Sequence, residues 1–319
     1  MRRERILEQK LRNLVHTGAL FAGMLGLLAL LGWVVAGPSG LAGLVGAGLV
    51  LLTAGWRASP LLILRLYGAQ PLSPDEAPGL YRVVIELSRR AELPRPPRLF
   101  YVPTPMINAF SVGSRDDAAV TVTAGLLEHL NRRELVGVLA HEIAHIRHND
   151  LQVLGLADLV SRATVFFSWM GQFLLLLNLP LWLAAGYSVP WLAVFLLIFA
   201  PTLTALLQLA LSRSREFDAD LGAVELTGDP RGLASALYKL EAYQTNIFER
   251  IFLPGRRVPE PSLLRTHPAT EERIRRLLEL EGEAPRPEPS VWEEEPSLGP
   301  GVRISLRPGP MWHWTGLWH

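Results

Sequence analysis

The stretch "NRRELVGVLAHEIAHIRHND", Asn131 to Asp150, decides how the rest of the chain is read. Asn131 followed three residues later by Glu134 is a capping-box arrangement, so the stretch predicts a helix that opens at Asn131. Residues four apart share a helical face, and His141 and His145 can therefore each direct a ring nitrogen at one ion. Glu142 is rotated by about 100° from His141 and can reach a water on that ion without binding the ion itself. His148 shares the angle of His141 but lies roughly 10 Å further along the axis. Ligand bonds of about 2 Å put it out of reach, and it is expected to be a bystander. Asp150 receives no firm role.

The 319 residues include no cysteine, which excludes thiolate metal sites, iron–sulfur clusters, disulfides and cysteine nucleophiles. Any metal must be held by His, Asp or Glu, and two histidines need a third partner. "SRSREFDAD", Ser212 to Asp220, supplies Glu216 as the ligand and Asp220, one turn on, to orient a ligating imidazole through its other nitrogen. Taken alone these acids would read as ordinary juxtamembrane charges. Beside H-E-x-x-H they complete a His2Glu set open to a water, the arrangement of a catalytic zinc site. One Zn2+ per chain is expected, with Glu142 moving the proton from the attacking water to the leaving amine.

The surroundings of this motif are apolar. Hydrophobic residues make up 49% of the chain and its mean hydropathy is +0.23. No Asp, Glu, Lys or Arg occurs from Asn13 to Trp56, and "GPSG" (Gly37 to Gly40) divides that run in two. A second uncharged run, Ala163 to Ser212, is broken near "GYSVP" (Gly186 to Pro190). Each half approaches the roughly 20 residues that cross a bilayer as helix, so two hairpins and four spans are expected. A cleaved signal peptide is the competing reading of the first run, disfavoured because a second apolar segment follows at once.

Arg2, Arg3, Arg5, Lys10 and Arg12 precede the first span, Arg57 and Arg65 follow the second, and Arg162 and Arg213 flank the second pair. Both connecting turns lack basic residues. The positive-inside tendency then puts both termini and the active site in the cytoplasm of a multi-pass protein of the inner or plasma membrane. Lys10 and Lys239 are the only lysines, and no arginine cluster interleaved with aromatics marks a nucleic-acid groove.

The expected organisation is a cytoplasmic segment (1–14), hairpin 1 (15–56), a leading protease segment with the histidine motif (57–162), hairpin 2 (163–212), a trailing protease segment (213–283) and a proline-rich tail (284–319). Neither soluble segment suits an independent domain. They read as one discontinuous domain with a membrane hairpin inserted through it. "AAVTVTAGLL", Ala118 to Leu127, has alternating β-branched residues and is expected to be an edge strand on which an extended substrate pairs. Trp312, Trp314 and Trp318 of the tail suit a headgroup layer.

With these residues in view, the chain resembles the HtpX-like membrane zinc endopeptidases, related to the type I CAAX prenyl proteases. The resemblance runs through "INAFSVG" (Ile107 to Gly113), "TVTAGLLEHL" (Thr121 to Leu130), "ELVGVLAHEIAHIRHND" (Glu134 to Asp150), "SRSREFDAD" and "THPATEERIRRL" (Thr266 to Leu277). It implies a mainly α integral membrane protein, with four transmembrane helices and a gluzincin-like α+β catalytic domain carrying a small sheet. It implies zinc at His141, His145 and Glu216, Glu142 as base, and Asn108, with Ala109 and Phe110, beside the substrate. His267 and Arg273 are implied to steady the oxyanion or a metal-bound carboxylate. Misfolded membrane proteins are the implied substrates, in a stress-response setting. The long tail departs from the group's pattern. A processing protease for a defined, for example prenylated, peptide and a non-catalytic membrane adaptor are the alternatives.

Overall fold

The computed structural model describes residues 2–55, 64, 65, 67–186, 191–251 and 270–280. His267, the turn residues 187–190 and the tail lie outside the described residues.

Helix α1 (Arg2–Gly55) leaves helical geometry at Ala36 (φ −142°, ψ 19°) and Gly37 (φ 59°, ψ −146°), and Pro38 follows. The left-handed φ at Gly37 is one that side chains resist. A Cβ at Gly40 would stand 2.2 Å from the carbonyl oxygen of Gly32, whereas eight residues of straight helix span about 12 Å. The chain therefore folds back at the expected break. Its second limb is helical to Gly55. Among the described residues three helices are long and apolar enough to cross a membrane: Val15–Gly40, Asp150–Pro180 and Trp191–Thr227, with mean hydropathies of 2.3, 1.3 and 2.2.

The latter two belong to α5 (Asp150–Ala184) and α6 (Trp191–Thr227), which run unbroken through the expected boundaries at 162 and 212. Charge patterning locates the end of the apolar stretch, not the end of a helix. Helices α1, α5 and α6 pack around Met24, Ala157, Val160 and Leu211 and, further along, around Leu31, Leu197 and Ala200. Their outer faces carry Trp169, Trp191, Leu192 and Phe195, Leu192 being 85% exposed, a surface suited to lipid. Pro201 has no N–H for the carbonyl of Leu197 one turn earlier. Ser168 and Gln172 of α5 donate to that carbonyl instead, Gln172 at 3.2 Å.

The remaining elements are β1 (Gln70–Pro71), α2 (Pro78–Arg90), β2 (Arg98–Val102), β3 (Ala109–Gly113), β4 (Ala118–Thr123), α3 (Ala124–His129), α4 (Arg132–Arg147), α7 (Pro230–Ile251) and α8 (Thr270–Glu279). The sheet order is β1-β2-β4-β3, with β2 and β4 parallel and the other pairs antiparallel. The structure corrects the expectation that Ala118 to Leu127 forms an edge strand. β4 is central and all six of its residues are buried. Its β-branched side chains fill two faces, and the edge beside α4 is β3. The β3–β4 turn depends on Gly113 (φ 104°), where a Cβ would lie 2.1 Å from the Asp117 carbonyl oxygen.

Helix α4 is buried from Glu134 to Ile146. Its capping box is present in both halves: Asn131 Oδ1 accepts from the Glu134 N–H, and Glu134 Oε2 accepts from the Asn131 N–H, each at 2.9 Å. Two glycines let neighbours approach it closely. A Cβ at Gly137 would meet the Leu233 nitrogen of α7 at 2.8 Å, and one at Gly222 of α6 would meet the Ala144 Cβ at 2.8 Å. These contacts fix α4 between α6 and α7, with the sheet on a further side.

Candidate metal centre and active site

One turn of α4 separates His141 from His145, and their Nε2 atoms lie 3.1 Å apart. Glu216 reaches them from α6, with Oε2 at 3.4 Å from His141 Nε2 and Oε1 at 3.7 Å from His145 Nε2. All three residues are buried and offer ligand atoms within 4.8 Å of one another. Tetrahedral coordination with bonds of about 2.0–2.1 Å puts ligand atoms roughly 3.3 Å apart, so separations of this size suit a zinc-sized ion. The close crossing at Gly222 and Ala144 makes this possible by bringing α6 against the face that carries the histidines.

Each imidazole is held from behind. Asp220 Oδ1 lies 3.0 Å from His141 Nδ1, and Asp150 Oδ2 lies 2.9 Å from His145 Nδ1. A carboxylate hydrogen-bonded to the distal nitrogen, as Asp150 is to His145, fixes tautomer and ring plane and leaves Nε2 facing the centre. The sequence leads one to expect Asp220 in that role and leaves Asp150 unassigned. Asp150 is wholly buried at the first turn of α5, with Arg215 3.2 Å from its other oxygen. Arg215 likewise carries no expectation from the sequence. Spacing offers no signal for either, because both lie past a helix end or on a different helix.

Arg273 of α8 is buried against the two acids of α6. Its Nε and Nη2 donate to Asp220 at 2.7 and 2.6 Å, and its Nη1 is 2.9 Å from Glu216 Oε2. The carboxylates of Glu142, Asp150, Glu216 and Asp220 outnumber the guanidiniums of Arg215 and Arg273 by two. A buried excess of negative charge is costly unless a cation offsets it, whether a proton on His141 or a bound metal ion. The same field acts on His141: burial opposes its protonation, but Asp220 and Glu216 prevail and push its pKa up to about 9.

Glu142 does not join the ligand set. Its Oε2 accepts a 2.7 Å hydrogen bond from the hydroxyl of Ser111, buried on β3. Sequence reasoning misses Ser111, although its place between Phe110 and Val112 in an alternating strand is a signal that it points to the opposite face. Asn108 stands just before β3. Its backbone N–H donates to Thr123 Oγ1 at 3.0 Å, and its carbonyl accepts from the same hydroxyl at 2.8 Å. Ala109 and Phe110 are half-buried on the edge strand. Phe110 packs on the face away from α4, its ring 5.1 Å from that of Tyr67. His148 is half-buried and outside the ligand cluster.

Residues 74–281 match peptidase family M48. A protease HtpX homolog of Nostoc punctiforme is 40% identical over 292 residues, covering 86% of this chain and 98% of that protein. A protease HtpX homolog of Aquifex aeolicus is 38% identical over 272 residues, covering 80% and 89%. The crystal structure of S. mikatae Ste24p aligns over 85% of this chain and 66% of that one, with a TM-score of 0.44 and 19% identity.

Proposed function

The chain belongs to peptidase family M48 and is a membrane-bound metalloprotease, and from that premise we propose that one zinc ion per chain is held by His141, His145 and Glu216, with Glu142 as catalytic base. The observation that carries the proposal is the spacing of 3.1, 3.4 and 3.7 Å among the three ligand residues, beside a carboxylate that is hydrogen-bonded elsewhere. Bound zinc would supply Lewis acidity, polarising the scissile carbonyl and lowering the pKa of a water.

The chain's own residues do the rest. Asp220 and Asp150 stand behind the two imidazoles, beside Nδ1, and leave Nε2 of each aimed inward. Glu142 takes a proton from the attacking water and returns it to the leaving amine as the carbon–nitrogen bond breaks. All three nitrogens of Arg273 face Asp220 and Glu216, which favours its action on the ligand carboxylate over contact with the oxyanion. The resemblance assigns the oxyanion to His267, which lies outside the described residues. Main-chain pairing with an extended substrate falls to β3 through Ala109 and Phe110, with Asn108 at the strand's start.

Residues 57–162 and 213–283 form the protease domain, and 15–56 and 163–212 its membrane hairpins. Helix α6 runs without a break from its apolar segment to Glu216, and α5 from its apolar segment to Asp150 behind His145, which favours substrates that emerge from the bilayer, misfolded membrane proteins above all. The arginines beside the spans favour a cytoplasmic site.

Metal analysis of the detergent-solubilised protein, with hydrolysis of casein and of a farnesylated peptide by wild type and Glu142→Gln, tests the proposal. We expect one zinc per chain in both proteins and casein cleavage by wild type alone. Exclusive cleavage of the farnesylated peptide would point to a processing enzyme, and absence of both zinc and hydrolysis to an adaptor. The lack of native cysteine allows a topology test. Asp116→Cys is expected to resist an impermeant maleimide in intact cells, whereas Ser39→Cys is expected to react.

A further inference from the structure

Ser111 sits at the middle of β3, 6% exposed, with its hydroxyl donating to Glu142 Oε2 at 2.7 Å. Strand alternation explains its aim. Phe110 and Val112 join Leu64, Phe100 and Ala119 on one face of the sheet, and Ser111, opposite Val120, faces α4 on the other. A buried hydroxyl needs an acceptor, and this one takes a carboxylate oxygen from a helix 31 residues further along the chain.

A glutamate side chain turns about three torsions, so its place on α4 does not by itself decide where its oxygens lie. His141 and His145 have carboxylates behind them to fix their orientation. For Glu142 the Ser111 hydroxyl fills that place. We infer that Ser111 is a positioning residue for the catalytic base: it holds Oε2 and so leaves Oε1 as the oxygen that takes the proton from water. The inference rests on Glu142 being the base proposed above. It assigns to the edge strand a role in the chemical step in addition to any role in binding.

The test compares wild type, Ser111→Ala, Ser111→Thr and Glu142→Gln as full-length zinc-loaded enzymes on casein-derived peptide, with zinc content and thermal midpoint measured on each. Misplacing a catalytic group costs up to about 100-fold in rate, and a tenfold loss is expected for removal of one anchor. Ser111→Ala should lower kcat about tenfold with KM within about twofold of wild type and zinc content unchanged. Ser111→Thr keeps the hydroxyl on a residue that suits a strand and should restore most of kcat. A wild-type kcat in Ser111→Ala, or equal losses in the alanine and threonine variants, overturns the inference while an inactive Glu142→Gln leaves the proposed mechanism standing. Full activity of Glu142→Gln overturns both.

Discussion

Asp150 Oδ2 lies 2.9 Å from Nδ1 of His145, at the first turn of the helix that follows the histidine motif. The pair mirrors Asp220 and His141, so both ligand imidazoles are backed by a buried carboxylate. Loss of such a partner typically lowers metal affinity by about 10–100-fold. Asp150→Ala is therefore expected to weaken zinc binding in that range, read by competition with a chromophoric chelator. Excess zinc should restore much of the activity.

Arg273 offsets Asp220 and Glu216 in a buried site. Removing one member of a buried pair leaves uncompensated charge, at a cost of about 3–5 kcal/mol. Arg273→Met should lower the thermal midpoint of the metal-free protein sharply, and Arg273→Lys should fall between, because an ammonium cannot reproduce the two-point contact. Differential scanning fluorimetry in detergent checks both. An unchanged midpoint in Arg273→Met would show that α8 contributes nothing to the site.

Gly222 lets α6 approach Ala144 of α4. A methyl group there would meet the Ala144 Cβ at 2.8 Å and must force the helices apart. Overpacking of this kind costs about 1–3 kcal/mol. The same shift would carry Glu216 and Asp220 away from the histidines. Gly222→Ala is expected to lose zinc affinity as well as stability, whereas Gly155→Ala, with open space around it, should lose neither. Equal zinc affinities in the two variants would refute the link between crossing distance and site.

Ser168 and Gln172 donate to the Leu197 carbonyl left without a partner by Pro201. An interhelical hydrogen bond in a membrane is worth about 0.6–2 kcal/mol. Ser168→Ala alone leaves the Gln172 donor in place and should be mild. The double variant Ser168→Ala/Gln172→Leu should lose more than the sum of the two single changes, because only then does the carbonyl lack a donor. Unfolding in mixed micelles measures the three variants, and strict additivity would count against the account.

Much of the site is legible in the sequence because its logic is local. The capping box at Asn131 and Glu134 and the one-turn interval from His141 to His145 follow from helix geometry alone. Glu216 follows from need, since two ligands require a third and cysteine is absent. The strand order is not legible. Ala118 to Thr123 reads as a strand from its β-branched alternation, but whether a strand is central or at an edge depends on which chain segments return beside it.

The sequence by itself determined the helix that carries the histidines, the break at Gly37, the apolar segments and the choice of His141, His145 and Glu216 as the proposed metal ligands, because each depends on neighbours a few residues away or on the residue types the chain contains. Only the tertiary structure decided that Ser111 reaches Glu142, that Asp150 stands behind His145 and that Arg273 spans Asp220 and Glu216. Those contacts join different elements, and they exist because small residues such as Gly137 and Gly222 let backbones close to a distance that no local periodicity encodes.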